Sequence, residues 1–213
     1  MLLRKMLRSL RVWRCVWCLG SALCLAAVLA PTTSAQSAGV SANVRAGGID
    51  SHQRKQTGSR IRRSRALGLV AAPIDKVLAV VSDYGSYHQF MPNFVASRVL
   101  SQRGGQALMY MEVSALDGMA TLWMQMQLHM LESTAPTRVI KASMLKGNLK
   151  DFAAEWQVTA FGAKHTLVAF ELCADPDFHI PFADSLVSDY NEKEARKSIL
   201  ALRRQLSRRP SEQ

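Results

Sequence analysis

The feature that most constrains the fold is an alternation of apolar and polar side chains that runs, segment by segment, through 106–172. In its first segment, Met109 and Met111 lie on one side, while Tyr110 and Glu112 lie on the other. Side chains of a β-strand point alternately to opposite faces of the sheet. The pattern therefore predicts strands with one apolar and one polar face, which is typical of an antiparallel sheet with one face in water.

A long amphipathic helix is predicted after these strands. Asp184 can cap its first turn, and a helix of about 24 residues would be roughly 36 Å long at about 1.5 Å per residue. One helix of this length can cover the apolar face of a sheet that has nothing else to bury it. Its apolar stripe comprises Leu186, Val187, Tyr190, Ile199, Leu202 and Leu206, and its polar face comprises Glu192, Lys193, Glu194, Arg196 and Lys197.

Two short helices are predicted upstream of the alternating segments. Pro73 suits the start of the first helix, because the N–H that proline lacks would be unpaired there, and Val77 and Val81 recur at helical spacing. The second short helix ends before Pro92. With one strand before these helices, about six strands after them and the final helix, the order predicts an α+β domain that spans 61–206.

The first 35 residues have the organisation of a secretory signal. Five basic residues precede an apolar run at 15–30, Pro31 ends that run, and the small residues of 33–35 precede Gln36. The apolar run has about 16 residues, whereas a membrane-spanning helix needs roughly 20. We therefore expect export to the periplasm or the cell exterior. The alternative is an uncleaved segment that anchors the protein in the membrane.

The two flanks of the predicted domain differ from it in composition. Residues 36–60 are rich in Ser, Ala, Gly, Gln and Arg and have no apolar period. Such a composition buries too little apolar surface to offset the entropy lost on ordering, which predicts a disordered basic linker. Residues 207–213 are expected to form a basic tail.

The net charge of +11 comes from the N-terminal part of the chain. Residues 1–35 contain five basic and no acidic residues, residues 36–65 contain seven basic and one acidic residue, and residues 66–213 contain 15 of each. The basic run at 60–65 has no aromatic residue on which a nucleic-acid base could stack. We expect no nucleic-acid partner and interpret this run as the solvated start of an edge strand; the alternative is a patch for phosphate or lipid head groups. The basic N-terminal segment is also a candidate for contact with an anionic membrane surface.

Residues in catalytic or metal-binding patterns are scarce in the sequence. Three of the four cysteines lie in the predicted signal, and Cys173 lies in an apolar stretch, where a buried structural role is expected. The five histidines lack the spacing of a zinc site. A nucleophile elbow, a phosphate loop and a dinucleotide fingerprint are all missing from the sequence. We therefore predict no catalytic residue, no metal and no cofactor.

The segment around the two short helices has the sequence Val81-Ser-Asp-Tyr-Gly-Ser-Tyr-His-Gln-Phe-Met-Pro92, which contains Tyr87, Phe90 and Pro92. It resembles the opening of START-type helix-grip domains. Members of the polyketide cyclase/dehydrase and coenzyme-Q-binding family have a tyrosine, an aromatic residue and a proline at these places. An aromatic-proline segment at 178–182, before the final helix, is similar as well. In the order of its elements, the resemblance covers the whole predicted domain.

The resemblance implies a curved antiparallel sheet that grips the C-terminal helix, with a cavity between them for a lipid, quinone, sterol or polyketide. Several methionines lie on the faces that the alternation turns inward, and methionine adapts to varied apolar partners. We expect the cavity to be lined by Met109, Met111, Leu122, Met124, Met126, Ile140, Met144, Phe152, Trp156, Phe170, Leu186 and Tyr190. The alternative for each of them is an ordinary position in the core.

These expectations lead to a functional hypothesis: an exported, non-enzymatic protein that binds a hydrophobic or lipid-like small molecule. The alternative is a cyclase or dehydratase that acts on an apolar substrate in the same cavity. Candidate polar groups for such an enzyme are Asp83, His88, Tyr110 and Tyr190. A third alternative is protein–protein interaction, as in the ribosome-associated relatives of this family, and export argues against it.

Overall fold

The structure is a computed structural model, and it describes residues 39–115, 118–131, 136–176 and 184–208. The helices are α1 (Ala42–Arg45), α2 (Ile74–Val81), a 3₁₀ helix (Tyr84–Ser86), α3 (Tyr87–Phe90) and α4 (Asp184–Arg208). The strands are β1 (Ile49–Arg54), β2 (Arg63–Val70), β3 (Phe94–Arg103), β4 (Gln106–Ala115), β5 (Ala120–Leu131), β6 (Thr137–Gly147), β7 (Leu149–Ala160) and β8 (Thr166–Pro176).

The eight strands form one antiparallel sheet in the order β1-β2-β8-β7-β6-β5-β4-β3. Strands β3 to β8 form a meander in which each strand pairs with the next along the chain. The short helices after β2 carry the chain from one side of the sheet to β3 at the opposite edge. Register shifts interrupt the β3–β4, β5–β6 and β7–β8 pairings, and irregularities of this kind bend a sheet.

The long helix α4 packs against β1, β2 and β8 and also contacts α2 and α3. Its buried face includes Ile199 and Leu202, both fully inaccessible to solvent. A Cβ atom on Gly68 of β2 would lie 2.9 Å from Cγ2 of Ile199 and 3.0 Å from Nη2 of Arg203. The missing side chain therefore allows α4 to approach β2 closely. A curved antiparallel sheet around a long C-terminal helix confirms the predicted α+β helix-grip fold.

The alternation predicted from the sequence corresponds to the two faces of the sheet. Met109, Met126 and Ile140 are buried at 0%, 3% and 1% exposure, and their neighbours Tyr110 and Lys141 are more accessible. The inward residues of β4 to β8 form one apolar core with α2 and α4. At about 25 cal/mol per Å² of apolar surface removed from water, this core is the main source of stability.

The segment predicted as a disordered linker, 36–60, is instead folded wherever it is described. Residues 39–60 include α1 and β1, and β1 adds an edge strand to β2. Val44 and Ile49 of this segment are buried, and side chains of α4 donate hydrogen bonds to its backbone carbonyls. Arg196 donates to the carbonyl of Ile49 at 2.8 Å, and Arg203 donates to the carbonyl of Gly47 at 2.8 Å. Hydropathy does not register such bonds, which is why the sequence analysis was wrong here.

The basic run at 60–65 leads into a strand, β2, as expected, but β2 is not the predicted edge strand, because it pairs with β1 on one side and with β8 on the other. Its arginines pair with acidic residues of the same chain. Arg60 binds Asp175 at 2.8 Å and Asp184 at 3.3 Å. Glu171 of β8 pairs with both Arg63 and Arg65. Much of the positive charge of this run is thus balanced within the fold.

The predicted signal at 1–35 lies outside the described residues, as do residues 209–213. Residues 207–208 of the predicted tail belong to α4, which ends at Arg208. Within the part of the chain that is described, no helix has both the length and the apolar character to cross a bilayer.

Candidate ligand cavity

A cavity of about 90 Å³ lies between the first half of α4 and the apolar face of the sheet. The neighbouring ends of β4, β5, β7 and β8 and the turn before β3 form its other walls. Its apolar lining comprises Met91, Pro92, Phe94, Met111, Val113, Ala115, Leu122, Met124, Leu149, Phe152, Phe170, Leu172 and Ala174. Its polar lining comprises Tyr190, Asn191, Glu194 and Ser198, all from α4.

Half of the twelve predicted lining residues border this cavity. They are Met111, Leu122, Met124, Phe152, Phe170 and Tyr190. Met109, Met126, Ile140 and Trp156 are buried elsewhere in the core, and Met144 packs against that core while partly exposed. Leu186 was predicted wrongly, because its side chain is 61% exposed in the first turn of α4. Whether the six bordering residues contact a ligand stays a prediction.

The family-like residues Tyr87, Phe90 and Pro92 lie beside the cavity. Tyr87 is 5% exposed and makes edge-to-face contacts with Phe90 at 5.5 Å and with Phe94 at 5.9 Å between ring centroids. Its hydroxyl donates a hydrogen bond to the carbonyl of Val81 at the end of α2. This aromatic cluster positions the turn that contains Pro92, and both Pro92 and Phe94 line the cavity.

The polar lining residues of α4 lie on one face of that helix. Asn191, Glu194 and Ser198 are 2%, 8% and 3% exposed. The sequence analysis assigned Glu194 to the polar outer face of the helix, and the structure contradicts that assignment. Spacings of three and four residues place it on the same face as Asn191 and Ser198, which are buried positions of α4. Helical spacing alone would have placed Glu194 on the buried face, but its charge led to its assignment to the solvent-facing side.

The carboxylate of Glu194 is held from two sides. Its Oε2 accepts a hydrogen bond from Nδ2 of Asn93 at 3.1 Å. Its Oε1 accepts one from Nζ of Lys197 at 2.8 Å, an i,i+3 pair in which the lysine side chain is 37% exposed. A carboxylate oxygen can accept more than one hydrogen bond. Glu194 therefore has acceptor capacity left for a group inside the cavity.

Of the four polar residues considered for an enzymatic alternative, Tyr190 borders the cavity, whereas Asp83, His88 and Tyr110 do not. His88 is an exposed residue of α3 with its Nδ1 2.8 Å from the hydroxyl of Ser97. Tyr110 lies on the outer face of β4. Within the described ranges, no group of three His, Cys, Asp or Glu side chains has the arrangement of a metal site.

Cys173 is fully buried, as the sequence analysis expected. Burial raises the pKa of its thiol, since the charged thiolate is costly in an apolar environment, and the nearby Asp151 raises it further. The thiol therefore stays protonated, and the structure supports a packing role for this residue.

Similar folds occur among solved structures. A STAR-related lipid transfer protein from Xanthomonas axonopodis is 19% identical, with a TM-score of 0.64, over 75% of this chain and 94% of that chain. Human StAR-related lipid transfer protein 5 is 11% identical, with a TM-score of 0.67, over 76% of this chain and 83% of that chain. The Zhui aromatase/cyclase from Streptomyces sp. R1128 is 16% identical, with a TM-score of 0.58, over 70% of this chain and 94% of that chain. At such identities, these similarities establish the fold alone.

The sequence itself supports a family assignment. No curated protein matches the chain at a significant level. The profile of the family described as polyketide cyclase/dehydrase and lipid transport matches residues 70–203, from the last residue of β2 to the last turns of α4. The match covers more than half of the chain and every element around the cavity. The protein therefore belongs to the polyketide cyclase/dehydrase and lipid transport family.

Proposed function

We propose that this protein binds a hydrophobic or lipid-like small molecule in the cavity between its sheet and α4. The observation that carries the proposal is the composition of the cavity wall: 13 of its 17 residues are apolar, and the polar ones all lie on α4. Small-molecule sites are typically apolar concavities with a few polar groups that orient the ligand. Similarity to lipid transfer proteins adds support from the fold.

A ligand of ordinary size would require this cavity to widen. Its volume is about 90 Å³, whereas sites for small molecules usually measure about 300–1,000 Å³. Met91, Met111 and Met124 line the wall. A methionine side chain has three rotatable bonds and packs well in several conformations. Rotation of these side chains would enlarge the cavity without exposing backbone, so the wall is suited to ligands of different shapes.

Extraction of the natively purified protein tests this proposal. We expect mass spectrometry of the solvent extract to detect a recurring apolar compound in near-stoichiometric amount. Extracts without such a compound, together with no thermal stabilisation by quinones, sterols, fatty acids or phospholipids, would contradict the proposal.

A second candidate function is catalysis as a cyclase or dehydratase on an apolar substrate. One observation favours it: the carboxylate of Glu194 and the phenol of Tyr190 both border the cavity and could exchange protons with a bound molecule. Incubation with a candidate polyketide would separate the two functions. An enzyme would release a dehydrated or cyclised product, whereas a binding protein would return the compound unchanged.

We further propose that the protein acts after export, and that the basic residues of 36–65, which remain after cleavage, lie near an anionic membrane surface. Support comes from the order of basic residues, apolar run and small residues in 1–35. Fractionation of expressing cells with N-terminal sequencing tests the proposal. We expect periplasmic or extracellular protein that begins near Gln36. Cytoplasmic protein with an intact Met1 would contradict it.

A further inference from the structure

The polar groups of the cavity are concentrated on one element, the helix α4. Asn191, Glu194 and Ser198 form a stripe along α4, while the sheet side of the cavity is apolar. All three residues are buried, with 2%, 8% and 3% of their surface exposed. A bound amphiphile would therefore place its polar end against this stripe and its apolar part against the sheet.

The stripe offers hydrogen-bond acceptors to the cavity. The hydroxyl proton of Ser198 is used, because Oγ donates to the carbonyl of Glu194 at 2.9 Å. The amide nitrogen of Asn191 donates to the carbonyl of Ala174 at 3.1 Å. Among the described residues, none donates to Oδ1 of Asn191. Oδ1 of Asn191 and the carboxylate of Glu194 are thus left as acceptors for a ligand's polar end.

The carboxylate of Glu194 sets the sign of charge that a ligand can carry. It faces an apolar wall, where charges interact more strongly than in water because the effective dielectric constant is lower. Lys197 balances part of this charge, but it lies outside the cavity lining. A ligand carboxylate at the stripe would meet the like charge of Glu194 and the amide oxygen of Asn191. This repulsion opposes its binding, although the second N–H of the Asn191 amide can still donate. A hydroxyl or ammonium group would find acceptors.

We infer that the cavity selects amphiphiles whose polar end donates hydrogen bonds, namely a hydroxyl or an amine, and discriminates against carboxylates through Glu194. This inference rests on the proposed binding function and specifies its ligand class. Glu194 acts as the specificity-determining residue, and Asn191 supplies the second acceptor.

Three ligands with the same alkyl chain test the inference: 1-octanol, octylamine and octanoate, titrated at pH 7 by calorimetry into the purified protein. We expect the alcohol and the amine to bind at least tenfold more tightly than octanoate. In E194Q, which keeps the size of the side chain and removes its charge, octanoate should gain affinity and octylamine should lose at least fivefold. The matched control is E192Q, since Glu192 lies on the same helix and binds Ser51 and Gln53 away from the cavity; it should keep the wild-type order.

The outcomes separate this inference from the proposed function. If octanoate binds the wild-type protein as well as 1-octanol does, the inference is wrong while the proposed function stands. An unchanged order of affinities in a folded E194Q variant would also overturn it. If none of the three ligands binds, the proposed function fails and the inference fails with it. The comparison of the three ligands on the wild-type protein does not depend on whether any variant folds.

Discussion

The side-chain amide of Asn93 donates a hydrogen bond to the carboxylate of Glu194 at 3.1 Å and so joins the turn before β3 to the cavity face of α4. Asn93 has a φ of 63°, in the left-handed region. That region costs most residues about 1–2 kcal/mol, and asparagine is among the few that visit it often. Two properties therefore favour asparagine at this position: its tolerance of positive φ and its hydrogen bond to the helix.

Two substitutions of Asn93 separate these contributions. N93A removes the bond and places an unfavourable residue at positive φ, so we expect it to lower the free energy of unfolding by about 1–3 kcal/mol. N93G removes the same bond but relieves the backbone, and it should cost clearly less. Urea denaturation of both variants measures the difference. An equal or larger loss in N93G would show that backbone conformation plays no part.

The pairing of Glu171 with Arg63 and Arg65 on the outer face of the sheet should stabilise the fold. The carboxylate is 10% exposed and lies at the centre of the basic groups. Its replacement in E171Q leaves partly buried arginines without their counter-charge, and we expect a loss of about 1–3 kcal/mol in the free energy of unfolding.

A second ion pair in the same sheet serves as the control for E171Q. Lys141 and Glu155 are 3.8 Å apart, and the lysine side chain is 57% exposed. Exposed pairs contribute about 0–1 kcal/mol, so K141M should have little effect on urea denaturation. Equal losses of unfolding free energy in E171Q and K141M would contradict a special contribution of Glu171 and its arginines.

Stability should fall at alkaline pH because of Tyr87. Burial raises the pKa of its phenol well above its ordinary value of about 10. Above that pH, the unfolded chain loses this proton while the folded chain keeps it, so the free energy of unfolding decreases as pH rises, by up to about 1.4 kcal/mol per pH unit. Denaturation between pH 8 and pH 11 measures the slope. Y87F should reduce this slope. An identical slope in Y87F would show that other titrating groups cause the loss of stability.

The segment that contains α1 and β1 should contribute to stability, although the sequence predicted a linker there. Val44 and Ile49 are 0% and 7% exposed, and burying such side chains contributes about 1.5–3 kcal/mol each. A chain that starts at residue 61 should therefore be less stable than one that starts at residue 36, by at least about 3 kcal/mol. If the two chains unfolded at the same urea concentration, residues 36–60 would act as a linker that adds no stability.

The fold was predictable because two periodicities dominate the sequence. Alternation in β4 to β8 determined which residues face the core, and a helical stripe that includes Ile199 and Leu202 determined how α4 lies on the sheet. Strand β1 escaped prediction because backbone pairing and polar bonds from α4 hold it in place. Such interactions leave no periodic signal in hydropathy.

The cavity was predictable only in part. Met109 and Met111 lie on the same face of β4, yet Met111 alone borders the cavity. Alternation determines the face of a side chain but not its distance from the helix, which depends on how the sheet bends. Glu194 illustrates the other limit. A charged residue was assigned to solvent, whereas its position on the buried face of α4 places it at the cavity.

The most direct test of ligand binding in the cavity is to fill the cavity and measure what is lost. Ala174 of β8 borders it, and A174L would occupy its free volume; A79L, at an exposed position of α2, is the matched control. Titration with the neutral apolar fluorophore N-phenyl-1-naphthylamine measures occupancy, because its emission rises in apolar surroundings. We predict saturable binding to the wild-type protein and A79L, weakened at least tenfold in a folded A174L. Equal binding by all three proteins, or none to the wild type, would contradict a ligand site between sheet and helix.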